Sequence, residues 1–326
     1  MLRSRGGYWL LLLVALVLPL VLTPSFFRHI MTMTVMYACM AQAWNIVGGY
    51  GGQIALGNVV FFGLGAYSAA LGFVKFGLSP WLGLLIGIVV SATVAAVIGW
   101  ASFKTSGIYF AIATLGIGEL ARTLFVSWRW AEGSVGIEMP ILPSSLLNFQ
   151  FHGARLPYYY MILGLLVLYF WIVARIGNSR FGYYLRTISV SEVAAEAVGI
   201  DVLRYKMLAF VLAAVMTSIC GTFYNQYLLY IDPWSVFPST ISMLMLFITV
   251  FGGVGTAIGP VIGAVILIPL GELTRGALGG QGKGIDYLIN AVLMVTITIL
   301  EPRGVLQLIR RAPLPWRKER THEQTA

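Results

Sequence analysis

The stretch PWLGLLIGIVVSATVAAVIGWASF, residues 80–103, contains no charged residue. As a helix it would extend roughly 36 Å at 1.5 Å per residue, and the hydrocarbon core of a bilayer is about 30 Å thick. So long an apolar surface would not stay exposed to water in a soluble protein. Residues 80–103 therefore predict a membrane-spanning helix, which decides the fold class.

Comparable runs recur along the whole chain. Hydrophobic residues make up 59% of its 326 residues and charged residues 10%, whereas soluble domains carry about 25% charged residues. The apolar runs are 8–27, 30–47, 58–74, 80–103, 107–127, 157–174, 207–230, 238–251, 256–274 and 285–300. We therefore predict an all-α polytopic membrane protein with about ten transmembrane helices. The first run is interpreted as a retained span rather than a signal peptide, and 238–251 is short enough for a half-span or re-entrant helix.

The basic residues predict an orientation. Ten crossings place both termini on one side, and most of the 21 Lys and Arg residues then lie on that side. The positive-inside rule favours N-in and C-in. The segment 175–206 becomes the longest cytoplasmic loop, 128–156 becomes the longest external loop, and a flexible basic tail begins at about 303. We expect residues 1–326 to form a single transmembrane domain whose net charge of +9 faces anionic lipid rather than nucleic acid.

Glycine clusters interrupt two of the apolar runs. The glycines at 48, 49 and 51 match those at 252, 253 and 255 at a constant offset. Small residues let helices approach closely in lipid. Clustered Gly and Pro also break helices, and broken helices in membranes line either protein or a water-filled cavity. The sequence leaves both interpretations open, and both can hold.

No catalytic constellation is present. The nearest approach to a phosphate-binding loop, GWASFKT at 99–105, has Phe103 where the second glycine must stand. The three His residues are scattered, so we expect no metal site, and Cys39 and Cys220 are expected to be buried packing residues. We therefore predict a chain that is not an enzyme and does not hydrolyse ATP itself.

Charged residues within the predicted spans are candidates for function. Glu119 and Arg122 stand three residues apart on one helix face and can pair. A charge at that depth is costly and is a functional candidate by default. The alternative is a salt bridge near the interface.

The segment SVSEVAAEAVGIDV, residues 189–202, predicts a short helix in water. Ser189 and Glu192 match a capping box, residues 190–198 favour helix, and Gly199 supplies a left-handed stop. A helix this short is marginal on its own. Its apolar stripe favours either packing on its own protein or docking of a partner. The stripe consists of Val193, Ala194, Ala197 and Val198.

The stretch VAAEAVG (193–199) resembles the coupling loop of ABC importer permeases, whose pattern is E-A-A-x-x-x-G. Val193 occupies the leading acidic place, and Glu192 stands one residue earlier. The chain is similar, from about residue 40 to 306, to the second of the two permease types of the branched-chain amino-acid ABC permease family. Asn58 stands where that family more often carries histidine. The similarity lies in GGYGGQIALGNVVFFGLGAYSAA, GIYFAIATLGIGELARTLFVSW, AAEAVGIDVLRYKMLAFVLAAVMTSICGTFY, FGGVGTAIGPVIGA and EPRGVL.

The resemblance implies an importer in the bacterial cytoplasmic (inner) membrane. Its pore would need a second homologous permease, two cytoplasmic ABC ATPases that use ATP and Mg, and a periplasmic or lipid-anchored solute-binding protein. This chain itself would bind no cofactor. The coupling residues would be Glu192, Ala194, Ala195, Glu196 and Gly199. Polar candidates for the translocation path are Asn45, Gln53, Asn58, Thr114, Glu119 and Arg122.

Other functions stay open at this point. Within the same architecture the solute could be urea, a short amide or another amino acid. A stand-alone ion-coupled secondary carrier would depend on Glu119 and work without ATPases. A membrane-embedded enzyme would need convergent nucleophiles or metal ligands, and the scattered His and few acidic residues argue against it.

Overall fold

The computed structural model describes residues 13–21, 24–103, 105, 107–143, 145, 148–151, 155–277, 292 and 305–306. The predicted basic tail and the predicted run 285–300 lie almost entirely outside these residues. The described chain is mostly helical, with β-structure confined to a pair of two-residue strands and one isolated bridge.

Twelve helices, α1 to α12, follow one another among the described residues. They are α1 (13–21), α2 (Ser25–Trp44), α3 (Val59–Phe76), α4 (Pro80–Ser102), α5 (Ile108–Ser127), α6 (Leu156–Gly177), α7 (Arg180–Val190), α8 (Glu192–Ala197), α9 (Val202–Leu228), α10 (Pro233–Val236), α11 (Ser239–Gly252) and α12 (Gly259–Ala277). A π-helical turn, Asn45–Tyr50, continues α2. Two 3₁₀ turns, Arg129–Ala131 and Gly133–Val135, follow α5. Strand β1 (Ile137–Glu138) pairs antiparallel with β2 (Tyr230–Ile231).

Seven of the described helical segments are long and apolar enough to cross a membrane. They are Ser25–Tyr50, Val59–Phe76, Pro80–Ser102, Ile108–Ser127, Leu156–Gly177, Val202–Leu228 and Pro233–Gly252. These match seven of the predicted runs, and α12 matches an eighth. The run 80–103 is confirmed as helix α4, in which Ser79 caps the N-terminus and Pro80 occupies the first turn.

The predicted extent of the first run was wrong. The run 8–27 is not one helix, because α2 begins at Ser25, immediately after Pro24, and includes Arg28 and His29. The run 238–251 is extended at its N-terminus by α10, and the residues between α10 and α11 include Pro238, which interrupts the helix. Helix α11 alone extends roughly 21 Å at 1.5 Å per residue.

Helices α3, α4 and α9 pack closely because glycines remove side chains at their crossings. A Cβ added to Gly65 of α3 would lie 2.0 Å from the Ser218 carbonyl oxygen of α9, and one added to Gly221 would lie 1.9 Å from the Phe62 carbonyl oxygen. Backbones that approach so closely pack through van der Waals contact, the main attraction between helices in lipid. The tight-packing interpretation of the glycines is thus confirmed at these crossings.

A second group forms around α2, which contacts α6, α11 and α12. Gln42 of α2 donates a hydrogen bond to the Ala257 carbonyl, whereas a Cβ on Gly276 would lie 3.0 Å from the Phe26 ring. Helix α12 therefore runs antiparallel to α2. Cys39 and Cys220 are free and buried, as expected.

Candidate functional site

Helices α7 and α8 form an elbow, residues 180–197, between α6 and α9. The predicted capping box of Ser189 and Glu192 was wrong. Helix α7 extends to Val190, so Ser189 lies within its last turn and donates to the Arg186 carbonyl at 2.8 Å. Ser191 is the cap instead: its extended backbone separates the two helices, and its Oγ accepts from the Ala194 N–H at 3.2 Å. The predicted helix 190–198 is therefore only Glu192–Ala197.

The predicted stop at Gly199 is confirmed. Its φ of 82° is left-handed, and its N–H donates to the Glu196 carbonyl at 2.9 Å. The next N–H, of Ile200, donates to the Ala195 carbonyl at 3.0 Å. Gly199 thus ends α8 and lets the chain turn into α9, where the Asp201 side chain caps the new helix.

The residues of α8 divide between two faces. Ala195 is fully buried and packs with Ile188 of α7 and Val202 of α9. Valines on the other side are exposed: 79% for Val193 and 73% for Val198, next to Val190 at 87%. Exposed apolar side chains grouped in this way are the kind that contacts with another protein or with the membrane would cover. Ala194, Glu196 and Gly199, three of the predicted coupling residues, are also exposed, whereas Ala195 is an internal anchor.

Glu192 points towards the protein instead. Its Oε1 lies 2.5 Å from Nζ of Lys206 and accepts from Nε2 of Gln53 at 3.2 Å. The two charged groups form an ion pair. Only 1% of the Lys206 side chain is exposed, and its ammonium also lies 5.8 Å from the Phe103 ring centroid. Such a buried cation needs a counter-charge, and Glu192 supplies it.

The first glycine break, residues 45–58, is where the end of α2 leaves regular α-helix. It consists of the π-helical turn and the irregular segment 51–58. Asn45 is fully buried: its Nδ2 donates to the Thr256 carbonyl at 2.9 Å, and its Oδ1 accepts from the Gly255 N–H at 3.0 Å. These bonds tie the break to residues 253–258, the second glycine break, between α11 and α12.

The two glycine clusters that match in sequence meet in space. A Cβ on Gly49 would lie 2.8 Å from the Gly255 nitrogen, and one on Gly255 would lie 3.1 Å from the Gly49 carbonyl oxygen. The helix-breaking interpretation is therefore also confirmed, in that both clusters interrupt α-helix and each break packs against the other. Asn45 acts here as a brace between backbones.

The other predicted path residues fall into two kinds. Thr114 is buried, donates to the Ala111 carbonyl and accepts from the Leu56 N–H at 3.1 Å, so it holds the first break against α5. Asn58 is fully buried, and within the described chain its amide makes no hydrogen bond. Gln53, another predicted path residue, donates a hydrogen bond to Glu192, a predicted coupling residue.

The predicted pair of Glu119 and Arg122 is confirmed. Arg122 Nη2 lies 2.6 Å from Glu119 Oε2, and its Nε donates to the same oxygen at 2.9 Å. Ser239 donates to the other carboxylate oxygen, and the guanidinium carbon lies 4.5 Å from the Trp234 ring centroid. The exposed fractions, 42% for Glu119 and 26% for Arg122, place the pair at the surface of the described chain.

Sequence reasoning missed Ser191, Lys206 and the contact of Arg186 with Tyr50, whose ring centroid lies 5.0 Å from the guanidinium carbon. Ser191 was overlooked because Ser189, two residues earlier, fits the S-x-x-E spacing with Glu192, whereas Ser191 is followed three residues later by Ala194. Lys206 had been counted only as one of many basic residues. It directly follows Tyr205, the ring partner of Tyr184, and nothing in the sequence there signals burial, so only the folded contacts reveal it.

Seven apolar helical segments long enough to cross a membrane, packed through glycines, define a multi-pass membrane protein. The family described as branched-chain amino acid transport system / permease component matches residues 26–298. The chain therefore belongs to that family.

Several characterised proteins are similar to this chain. The high-affinity branched-chain amino acid permease protein LivM of Salmonella typhimurium is 27% identical over 303 residues, 86% of this chain and 70% of that protein. LivH of Escherichia coli K12 is 23% identical over 291 residues, 83% of this chain and 91% of that protein. The autoinducer 2 import permease LsrC of Klebsiella pneumoniae is 26% identical over 163 residues, 48% of this chain and 45% of that protein. No solved structure matches this chain.

Proposed function

We propose that this chain is one of two permease subunits of an ABC importer for branched-chain amino acids in the bacterial cytoplasmic membrane. The proposal takes the solute from the relatives LivM and LivH. The two cytoplasmic ATPases use ATP and Mg, and a periplasmic or lipid-anchored binding protein delivers the solute. Residues 1–326 form one permease domain, with the coupling segment at 175–206 and a flexible basic tail from about 303.

The proposed topology has about ten spans with both termini inside. Its support is that α12 runs antiparallel to α2 and that the elbow lies against the end of α2. The elbow, the end of α2 and the start of α12 therefore lie on one side of the bundle. That side also carries the basic residues Arg180, Arg186 and Arg204, in agreement with the positive-inside rule.

Three exposed valines, Val190 and Val193 in the elbow and Val198 directly after it, are the observation that carries the ATPase-binding role. Burying a valine side chain contributes about 1.5 kcal/mol or more, so Val190, Val193 and Val198 together contribute several kcal/mol to a docked complex. Helix α8 is too short to persist alone. It is held in place by its buried Ala195 and by Glu192, which leaves its outer face free for a groove on the ATPase.

A matched pair of variants tests this role. Val193→Glu places a charge in the docking surface, and Val135→Glu places the same charge at an equally exposed valine (79%) in the segment after α5. Both chains are purified in mild detergent from native membranes, and the co-purified proteins are identified by mass spectrometry. We expect wild type and Val135→Glu to bring two ATPases and a second permease, and Val193→Glu to lose the ATPases.

The result that contradicts the proposal is a wild-type chain that repeatedly purifies alone. Equal ATPase recovery with Val193→Glu would contradict only the docking surface. The solute is tested separately: ATP-driven uptake of labelled leucine by the reconstituted complex, with its binding protein, is challenged with excess isoleucine, valine, urea and short amides. Competition by the branched-chain amino acids alone supports the proposed solute class.

A further inference from the structure

The elbow is fastened to the first glycine break at three successive points. Arg186 of α7 lies with its guanidinium carbon 5.0 Å from the Tyr50 ring centroid. A Cβ on Gly52, whose φ is 67°, would lie 2.8 Å from the Ser189 side chain.

The third point is the Glu192–Gln53 hydrogen bond. Residues 186, 189 and 192 follow at intervals of three along the elbow, and they meet residues 50, 52 and 53 in the same order.

We infer that Gln53 is the positioning residue that passes the movement of α8 to the first glycine break, an inference that rests on the proposed function. The Glu192–Lys206 ion pair holds α8 against the start of α9, and the Gln53 hydrogen bond holds it to the break. Gln53 therefore acts through Glu192 and the break rather than by contact with solute.

The break is suited to receive such movement. Its backbone leaves regular α-helix, so small rotations there need not propagate along α2 as a rigid rod. It leads directly into α3, whose close contacts with α9 and α4 join it to the centre of the bundle. Through Asn45 it also holds the second glycine break, so a displacement at Gln53 reaches α11 and α12 as well.

Gln53→Leu tests the inference, because it removes the bond to the break while leaving Glu192 and Lys206 paired, so α8 keeps its place and its docking face. Gln53→Lys restores a donor to Glu192. The matched control is Gln150→Leu, which removes another buried glutamine, whose amide bridges Pro140 and Leu142 in the segment after β1. The complex is reconstituted with its co-purified subunits and binding protein, and leucine uptake and ATP hydrolysis are measured in the same vesicles.

We expect Gln53→Leu to lower leucine transported per ATP hydrolysed by about tenfold, the scale of losing a hydrogen bond to a charged group. Gln53→Lys should keep most of the wild-type ratio, and Gln150→Leu should change the amount of complex but not the ratio. A wild-type ratio in Gln53→Leu, or the same fall in Gln150→Leu, overturns the inference. A wild-type complex without ATP-driven leucine uptake overturns the proposed function, and this inference with it.

Discussion

Replacing Asn45 with alanine should lower the free energy of unfolding, because the Asn45 amide holds the two glycine breaks together. The substitution removes a bond from Nδ2 to the Thr256 carbonyl and a bond from the Gly255 N–H to Oδ1, at 2.9 and 3.0 Å. A hydrogen bond of this kind contributes about 1 kcal/mol net, and somewhat less on average within membranes, so the expected loss is about 1–3 kcal/mol.

The loss can be measured by unfolding the purified chain in mixed micelles with increasing sodium dodecyl sulfate, followed by circular dichroism. Asn178→Ala is the matched control. Its Nδ2 also donates to a backbone carbonyl, that of Ala174, at 2.9 Å, but it does so at an exposed helix end. We expect a change below about 0.5 kcal/mol for the control. Equal losses for both variants would refute the bridging role of Asn45.

Two further predictions concern packing and energy source. Gly65→Ala should cost about 3 kcal/mol because its Cβ would lie 2.0 Å from the Ser218 carbonyl oxygen. Gly116→Ala should gain up to about 1 kcal/mol of helix propensity, because its Cβ would meet no described atom within 4 Å beyond its own helix backbone and chain neighbours, and the same unfolding assay checks both signs. Collapse of the proton gradient should leave ATP-driven leucine uptake unchanged in wild type and in Glu119→Gln alike, because Glu119 is already paired with Arg122. Uptake that follows the gradient and disappears in Glu119→Gln would instead indicate an ion-coupled carrier.

The membrane-spanning helices could be predicted from sequence because their signal is a long run of apolar residues, and seven such runs are matched. Their ends could be predicted less well. Arg28 and His29 suggested a boundary, yet both lie within α2, where Tyr227 bonds to His29 Nδ1 at 2.8 Å. Polar residues near a helix end resemble a loop in sequence whenever their partners come from another helix.

The candidate site could be predicted in its position but not in its roles. A polar residue in a membrane span can line a solute path, or it can bond to a backbone group that needs a partner. The two roles give the same sequence pattern. Asn45 and Thr114 have backbone partners, and Gln53 has Glu192. Among the six predicted path residues, Glu119 and Arg122 are the pair that lies at the surface of the described chain, where they bond to each other.

The departure of this chain from the coupling-loop pattern has a physical reading once the faces of α8 are known. Moving one position along an α-helix turns a side chain by about 100°. The pattern's leading acidic place falls on Val193, which points outward and is 79% exposed, while Glu192, one residue earlier, points inward to Lys206 and Gln53. An acid at 193 would point outward and leave the buried Lys206 without its counter-charge. With the acid at 192, Val193 keeps its outward position apolar beside the exposed Glu196, and the charge of Glu192 joins α8 to α9 and to the first glycine break.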